Sequence, residues 1–122
     1  MVRLYNVKVP EQNIQHVEQN ITVYTNDKVI GSGTLYVTKK ELIWISNSTQ
    51  KGFSFGYYQI VLPDISQDKE PRQLYLSIMV DIEINLINRV LTEIKFGPTD
   101  VNNLDTMSQI VRECHNLFNN RY

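Results

Sequence analysis

The chain has 122 residues, 12 Lys and Arg against 13 Asp and Glu, and a formal net charge of −1. That length supports one independent core and not two, and the near-neutral balance argues against direct nucleic-acid binding, which needs a basic face. No apolar run approaches the roughly 20 residues that span a bilayer and no signal-peptide core opens the chain. Cys114 is the only cysteine, so we expect a soluble domain in a reducing cytosolic or nuclear setting.

Residues 1–17 read as an extended lead-in containing Pro10, with a short turn of helix near residues 11–17. Ile21, Val23 and Thr25 alternate with Thr22 and Tyr24, the period-two signature of a strand, and Asn26, Asp27 and Lys28 supply its turn. A second strand begins near Val29, with Gly31-Ser32-Gly33 read as a bulge or tight turn in its opening, Leu35 and Val37 on one face and Thr34, Tyr36 and Thr38 on the other. Lys39-Lys40 interrupt it. The third strand places Leu42 and Trp44 opposite Ile43 and Ile45, so both faces are apolar and the strand is expected to be covered on both sides or to lie at a bend. Trp44 is the largest single apolar group and belongs in the core.

Residues 52–55 give a fourth strand and residues 57–66 a fifth, which holds Pro63 and so is expected at a sheet edge. After a charged loop at residues 67–72, Leu74, Leu76, Ile78 and Val80 alternate as a sixth strand. Ile82, Ile84, Leu86 and Ile87 are too apolar for an open loop and extend that hairpin. Residues 92–96 form a seventh strand with Ile94 and Phe96 aimed inward. Gly97-Pro98 closes the sheet and Thr99 is placed to cap a helix over residues 99–120, with Asp100 at its positive end. Val101, Leu104, Met107, Ile110, Val111, Cys114, Leu117 and Phe118 recur at three and four, which gives that helix one apolar stripe. Seven strands and one terminal helix predict a mainly β domain of pleckstrin-homology-like architecture: a bent seven-stranded antiparallel sheet or barrel capped by the helix.

The residues carry no catalytic constellation, so we expect no enzyme and no cofactor. Gly31-Ser32-Gly33 precedes a strand and lacks the helix and the Lys-Ser/Thr of a phosphate loop. Cys114 lies on the apolar stripe, while His115 is expected on the surface near the negative end of the helix. Asp64, Asp68, Glu70, Asp81 and Glu83 are scattered, with no metal-ligand spacing. A lipid-binding or membrane-adaptor reading would rest on Lys28 and on Lys39-Lys40. The stronger candidate is an edge strand able to accept a strand from another chain: Gln59, Ile60, Val61, Leu62, Pro63, Asp64, Ile65 and Ser66, beside Tyr57 and Tyr58.

Gly31-Ser32-Gly33-Thr34-Leu35-Tyr36-Val37, Leu42, Trp44, Gly52-Phe53-Ser54 and Tyr57, followed by Ile60, Leu62 and Ile65-Ser66, strongly resemble the pICln family, known as chloride-conductance regulators and methylosome subunits. The similarity resumes at Leu74-Tyr75-Leu76 and from Thr92 to Asp100, and runs into the helix at Met107 and Cys114. The resemblance implies a pleckstrin-like chaperone of spliceosomal Sm proteins, acting in cytoplasm and nucleus. Such a chaperone imitates a missing Sm neighbour by edge-strand pairing and presents Sm proteins to an arginine methyltransferase. A channel role, the sense of the older family name, is opposed by the lack of a spanning segment. The family places a long acidic insertion between its sixth and seventh strands and continues into an acidic region. Here residues 81–91 offer only Asp81 and Glu83 as acids, so contacts made through acidic segments, methyltransferase recruitment among them, do not carry over.

Overall fold

The structure, a computed structural model, describes residues 4–25, 28–68, 73–83 and 89–121. Its strands are β1 (Tyr5–Asn6), β2 (Ile14–Thr25), β3 (Lys28–Thr38), β4 (Glu41–Ser46), β5 (Lys51–Gly56), β6 (Ile60–Asp68), β7 (Gln73–Glu83) and β8 (Arg89–Pro98), and the helix is α1 (Leu104–Arg121). All pair antiparallel in one sheet of order β1-β5-β4-β3-β2-β8-β7-β6. Seven of these are the strands that alternation predicts. The eighth is β1, where Tyr5 faces Gly52 and Asn6 faces Lys51, a pairing too short to carry a period. The expected helical turn near residues 11–17 is replaced by the start of β2 at Ile14. Ile84, Leu86 and Ile87 lie outside the described residues, but β7 runs to Glu83 opposite Arg89, which extends the hairpin.

Ring contacts show that the sheet bends over on itself. Phe53 on β5 and Phe96 on β8 lie four strand steps apart, about 19 Å in a flat sheet at normal strand spacing, yet their ring centroids are 6.1 Å apart. A bulge contributes to the bend: register slips between Glu18↔Leu35 and Ile21↔Gly33, and Asn20 takes a left-handed φ of 58°, which Asn tolerates. Before it β2 pairs with β3 alone; from Ile21 onward it pairs with β8 as well. Trp44 is fully buried, stacks on Phe53, and donates its indole N–H to the Ile21 carbonyl just past the bulge at 3.2 Å. Ile43 and Ile45 are buried on the opposite face, as a strand covered on both sides requires.

Two glycines of the opening block have separate reasons. Gly31 has a φ of +155°, which side chains rarely adopt. A Cβ at Gly33 would land on the Ile45 carbonyl of β4. Both lie inside β3 and do not form a loop.

The helix starts later than its stripe implies. Val101–Asn103 is a 3-10 turn whose N-cap is Asp100, with its carboxylate accepting the Asn102 N–H at 3.0 Å. Thr99 instead donates its hydroxyl to the Asn20 carbonyl across the fold. α1 then buries Leu104, Met107, Val111 and Cys114 against the core. Val101 is exposed because it precedes the helical register, and Leu117 is 68% exposed. At 100° per residue Leu117 falls about 60° beyond Cys114, outside the arc that faces the sheet. α1 continues through Asn119 and Asn120 to Arg121.

Candidate functional site

β6 is the last strand of its sheet, and among the described residues no strand pairs with its outer side. Of the eight predicted contact residues, Gln59 lies outside it. Tyr57–Gln59 form a 3-10 turn, and the Gln59 side-chain oxygen accepts the Gly56 N–H at 3.2 Å. The sequence there runs Tyr57-Tyr58-Gln59 straight into Ile60-Val61-Leu62, so the turn is not visible in the pattern. Ile60 opens β6 and is 3% exposed. Its N–H bonds back to the Tyr57 carbonyl, and its own carbonyl lies 2.7 Å from His115 Nε2. A carbonyl can only accept, so Nε2 carries the proton and His115 is the donor.

Because neither main-chain group of Ile60 points at β7, strand alternation turns those of Val61 inward, toward Met79. The Val61 side chain is 42% exposed. Leu62 and Pro63 together face a single β7 residue, since register moves from Val61↔Met79 to Asp64↔Ser77. Proline, without an N–H, thus sits where the ladder is already interrupted. Beyond the bulge Asp64, Ser66 and Asp68 pair with Ser77, Tyr75 and Gln73. The alternation directs the main chain of the intervening Gln67 to the outer edge. Ile65 packs its side chain against the core. Seven of the eight predicted residues therefore share one strand at the end of the sheet.

The sequence reading missed how that strand is held. Tyr57, expected on the edge, is fully buried and donates its hydroxyl to the Thr38 carbonyl at 2.6 Å. Its N–H reaches the Lys40 carbonyl at 3.1 Å, and its ring meets His115 edge-on and lies 6.0 Å from Phe118. Burial, above all, pushes the Tyr57 phenol far above its ordinary range, with the neighbouring Cys114 adding to the rise. The hydroxyl therefore remains a donor at any ordinary pH. Burial likewise raises the Cys114 thiol. His115 is half-buried, not a surface residue. A helical wheel would have found it: counted from Leu104 it falls only about 20° past that residue, between Leu104 and the buried Ser108. Tyr58 is 76% exposed.

The cationic reading separates in space. Lys28 begins β3 and Lys39-Lys40 follow its end, so about 33 Å of strand divides them and they do not converge. Among the described residues no group of His, Cys, Asp and Glu is placed to hold a metal ion, and no helix is long and apolar enough to cross a membrane.

Residues 33–91 match the family model described as a regulator of volume decrease after cellular swelling. The chloride conductance regulatory protein ICln of Arabidopsis thaliana is 27% identical over 122 aligned residues, covering 87% of this chain and 53% of that protein. The methylosome subunit pICln of Drosophila melanogaster is 31% identical over 86 residues, covering 70% of this chain and 39% of that protein. A chain of the solved structure "The 8S snRNP Assembly Intermediate" is similar with a TM-score of 0.79 and 29% identity, over 96% of this chain and 93% of that one. The chain carries an ICln-family domain. The Vps36 N-terminal PH domain shares the fold of this ICln domain, with a TM-score of 0.64, 11% identity and coverage of 87% and 81%. The chain spans about half the length of the Arabidopsis and mammalian ICln relatives, 53% and 52%.

Proposed function

We propose that this ICln domain is a non-enzymatic assembly chaperone that holds Sm proteins before the small nuclear ribonucleoprotein core forms, by pairing one of their strands along the outer edge of β6. The observation that carries the reading is the terminal position of β6 in the sheet. An outer strand edge is a template that recognises backbone, with side chains on alternate positions setting specificity. Likeness to methylosome subunits and to a chain of an snRNP assembly intermediate supports Sm proteins as the partner. Cytoplasm is the place of action that follows from the likeness to methylosome subunits.

The test is size-exclusion chromatography of the chain with a recombinant Sm subcomplex. Proline is the informative probe, provided the position is chosen by register. At Val61 it would remove a donor aimed at β7 and damage the fold, whereas Gln67→Pro removes one aimed outward. Wild type co-elutes with the Sm subcomplex, and Gln67→Pro loses that association while keeping its thermal transition. Failure of the wild-type chain to associate rejects the function. Full association of a folded Gln67→Pro rejects pairing on β6.

A further inference from the structure

A second surface lies away from the outer edge of β6. A cleft of about 600 Å³ opens between the end of α1, the β3–β4 turn and the residues before β2, lined by Asn13, Gln15, Lys39, Lys40, Cys114, Leu117, Phe118 and Asn120. A volume of that size suits a small ligand or a few side chains of a peptide. Its apolar part comes from the last turns of α1, where Leu117 stands 68% exposed beside half-buried Phe118 and the edge of Cys114. Together they give the cleft an apolar side against which an apolar side chain can pack.

The opposite wall is cationic and unusually well fixed for an exposed turn. Lys39 and Lys40 project into solvent, but their main chain is tied down on several sides. Lys39 N–H donates to the Asn13 carbonyl at 3.1 Å, and the Lys40 carbonyl accepts the Tyr57 N–H at 3.1 Å. The buried Thr38 hydroxyl accepts the N–H groups of Lys40 and Glu41 at 3.2 and 3.0 Å, and Tyr57 holds the Thr38 carbonyl. Two ammonium groups on a braced turn present positive charge at a defined place, which lowers the ordering cost of binding.

We infer that this cleft binds a short peptide segment of a partner, with an apolar side chain seated against Leu117 and Phe118 and following acidic residues on Lys39 and Lys40. Charge complementarity selects the acidic side. The remaining lining selects a peptide over an anionic lipid. Asn13, Gln15 and Asn120 are amides, which both donate and accept, as a peptide backbone requires; a lipid phosphate asks only for donors. The acidic residues belong at the lysine wall and not at the helix end, whose carbonyls repel anions.

The experiment titrates a labelled short peptide carrying Leu-Phe followed by Asp and Glu into the intact chain, with amide NMR shifts mapping the site. Controls are the same peptide with Lys in place of its acids, and phosphatidylserine vesicles. The acidic peptide saturates and shifts the amides of Asn13, Lys39, Lys40 and Leu117. Combined Lys39→Glu and Lys40→Glu weakens it at least tenfold, and Leu117→Ser weakens it several-fold. Added salt also lowers the affinity. These changes are at exposed side chains, so circular dichroism should show an unchanged fold. Equal binding of the basic peptide, shifts elsewhere in the molecule, no binding at all, or binding of the vesicles in place of the peptide would each overturn the inference.

Discussion

Tyr57 and Tyr58 are neighbours of the same type, and the structure assigns them opposite weight. Tyr57→Phe removes one hydroxyl and leaves the ring in place. The hydroxyl is buried and bonded to the Thr38 carbonyl at 2.6 Å, so its loss strands a buried acceptor at a cost of about 1–3 kcal/mol. Truncation to Ala also empties the ring's place between His115 and Phe118 and should cost about 3–5 kcal/mol. Tyr58→Ala, at a side chain 76% exposed, should stay within ~0.5 kcal/mol of wild type. Urea unfolding followed by the fluorescence of Trp44, the single tryptophan, reads all three. With a slope of about 2 kcal/mol per molar urea, Tyr57→Phe lowers the midpoint by about 1 M. A neutral Tyr57→Phe, or a Tyr58→Ala as damaging as Tyr57→Ala, would refute the assignment of Tyr57 as the buried brace.

Gly33→Ala should destabilise by about 1–3 kcal/mol or more, because the new Cβ meets the Ile45 backbone carbonyl and nothing flexible can yield; chemical denaturation measures it, and a neutral result would mean that β3 and β4 separate freely. His115→Ala removes the donor to the Ile60 carbonyl and should cost about 1 kcal/mol, with faster amide exchange at Val61 and Met79 as the local sign. Stability should fall at alkaline pH. Burial raises both Cys114 and Tyr57, so the folded chain keeps protons that the unfolded chain sheds, and unfolding becomes easier as pH rises. The decline begins near the ordinary thiol value of about 8.5 and steepens past about 10, where an unfolded tyrosine ionises; Tyr57→Phe should remove the steeper part in urea midpoints taken from pH 7 upward.

The elements legible in the sequence are those whose burial is periodic. β4 shows its double coverage in four consecutive apolar residues, and α1 shows its face through Leu104, Met107, Val111 and Cys114, all of them buried. Pro63 announced the edge position of β6, and the structure places it in a bulge of the terminal strand. What escaped was set by single hydrogen bonds and not by pattern. The 3-10 turn at Tyr57–Gln59 is closed by Gln59 and Ile60 bonding back along the chain, and no periodicity records that. The helix start moved because Asp100 satisfied an amide that Thr99, engaged with Asn20, did not. β1 is held by two backbone pairs and by Tyr5, whose hydroxyl accepts the Ser54 N–H at 3.1 Å, a contact 49 residues distant in sequence.

The same small network explains why two separate surfaces stay in shape. β5 and β6 are consecutive in the chain but lie in opposite halves of the sheet, so the link at Tyr57–Gln59 has to cross the open end of the bent sheet. Backbone alone cannot satisfy its polar groups there. Tyr57 does so by reaching the β3–β4 turn with its hydroxyl and N–H, while its ring rests on α1 and His115 takes the first carbonyl of β6. The brace that fixes Lys39 and Lys40 on one side is therefore the brace that fixes the entry of β6 on the other. Both surfaces depend on the one buried side chain of Tyr57, and β6 needs such an anchor because an edge strand has a neighbour on only one side to hold it flat.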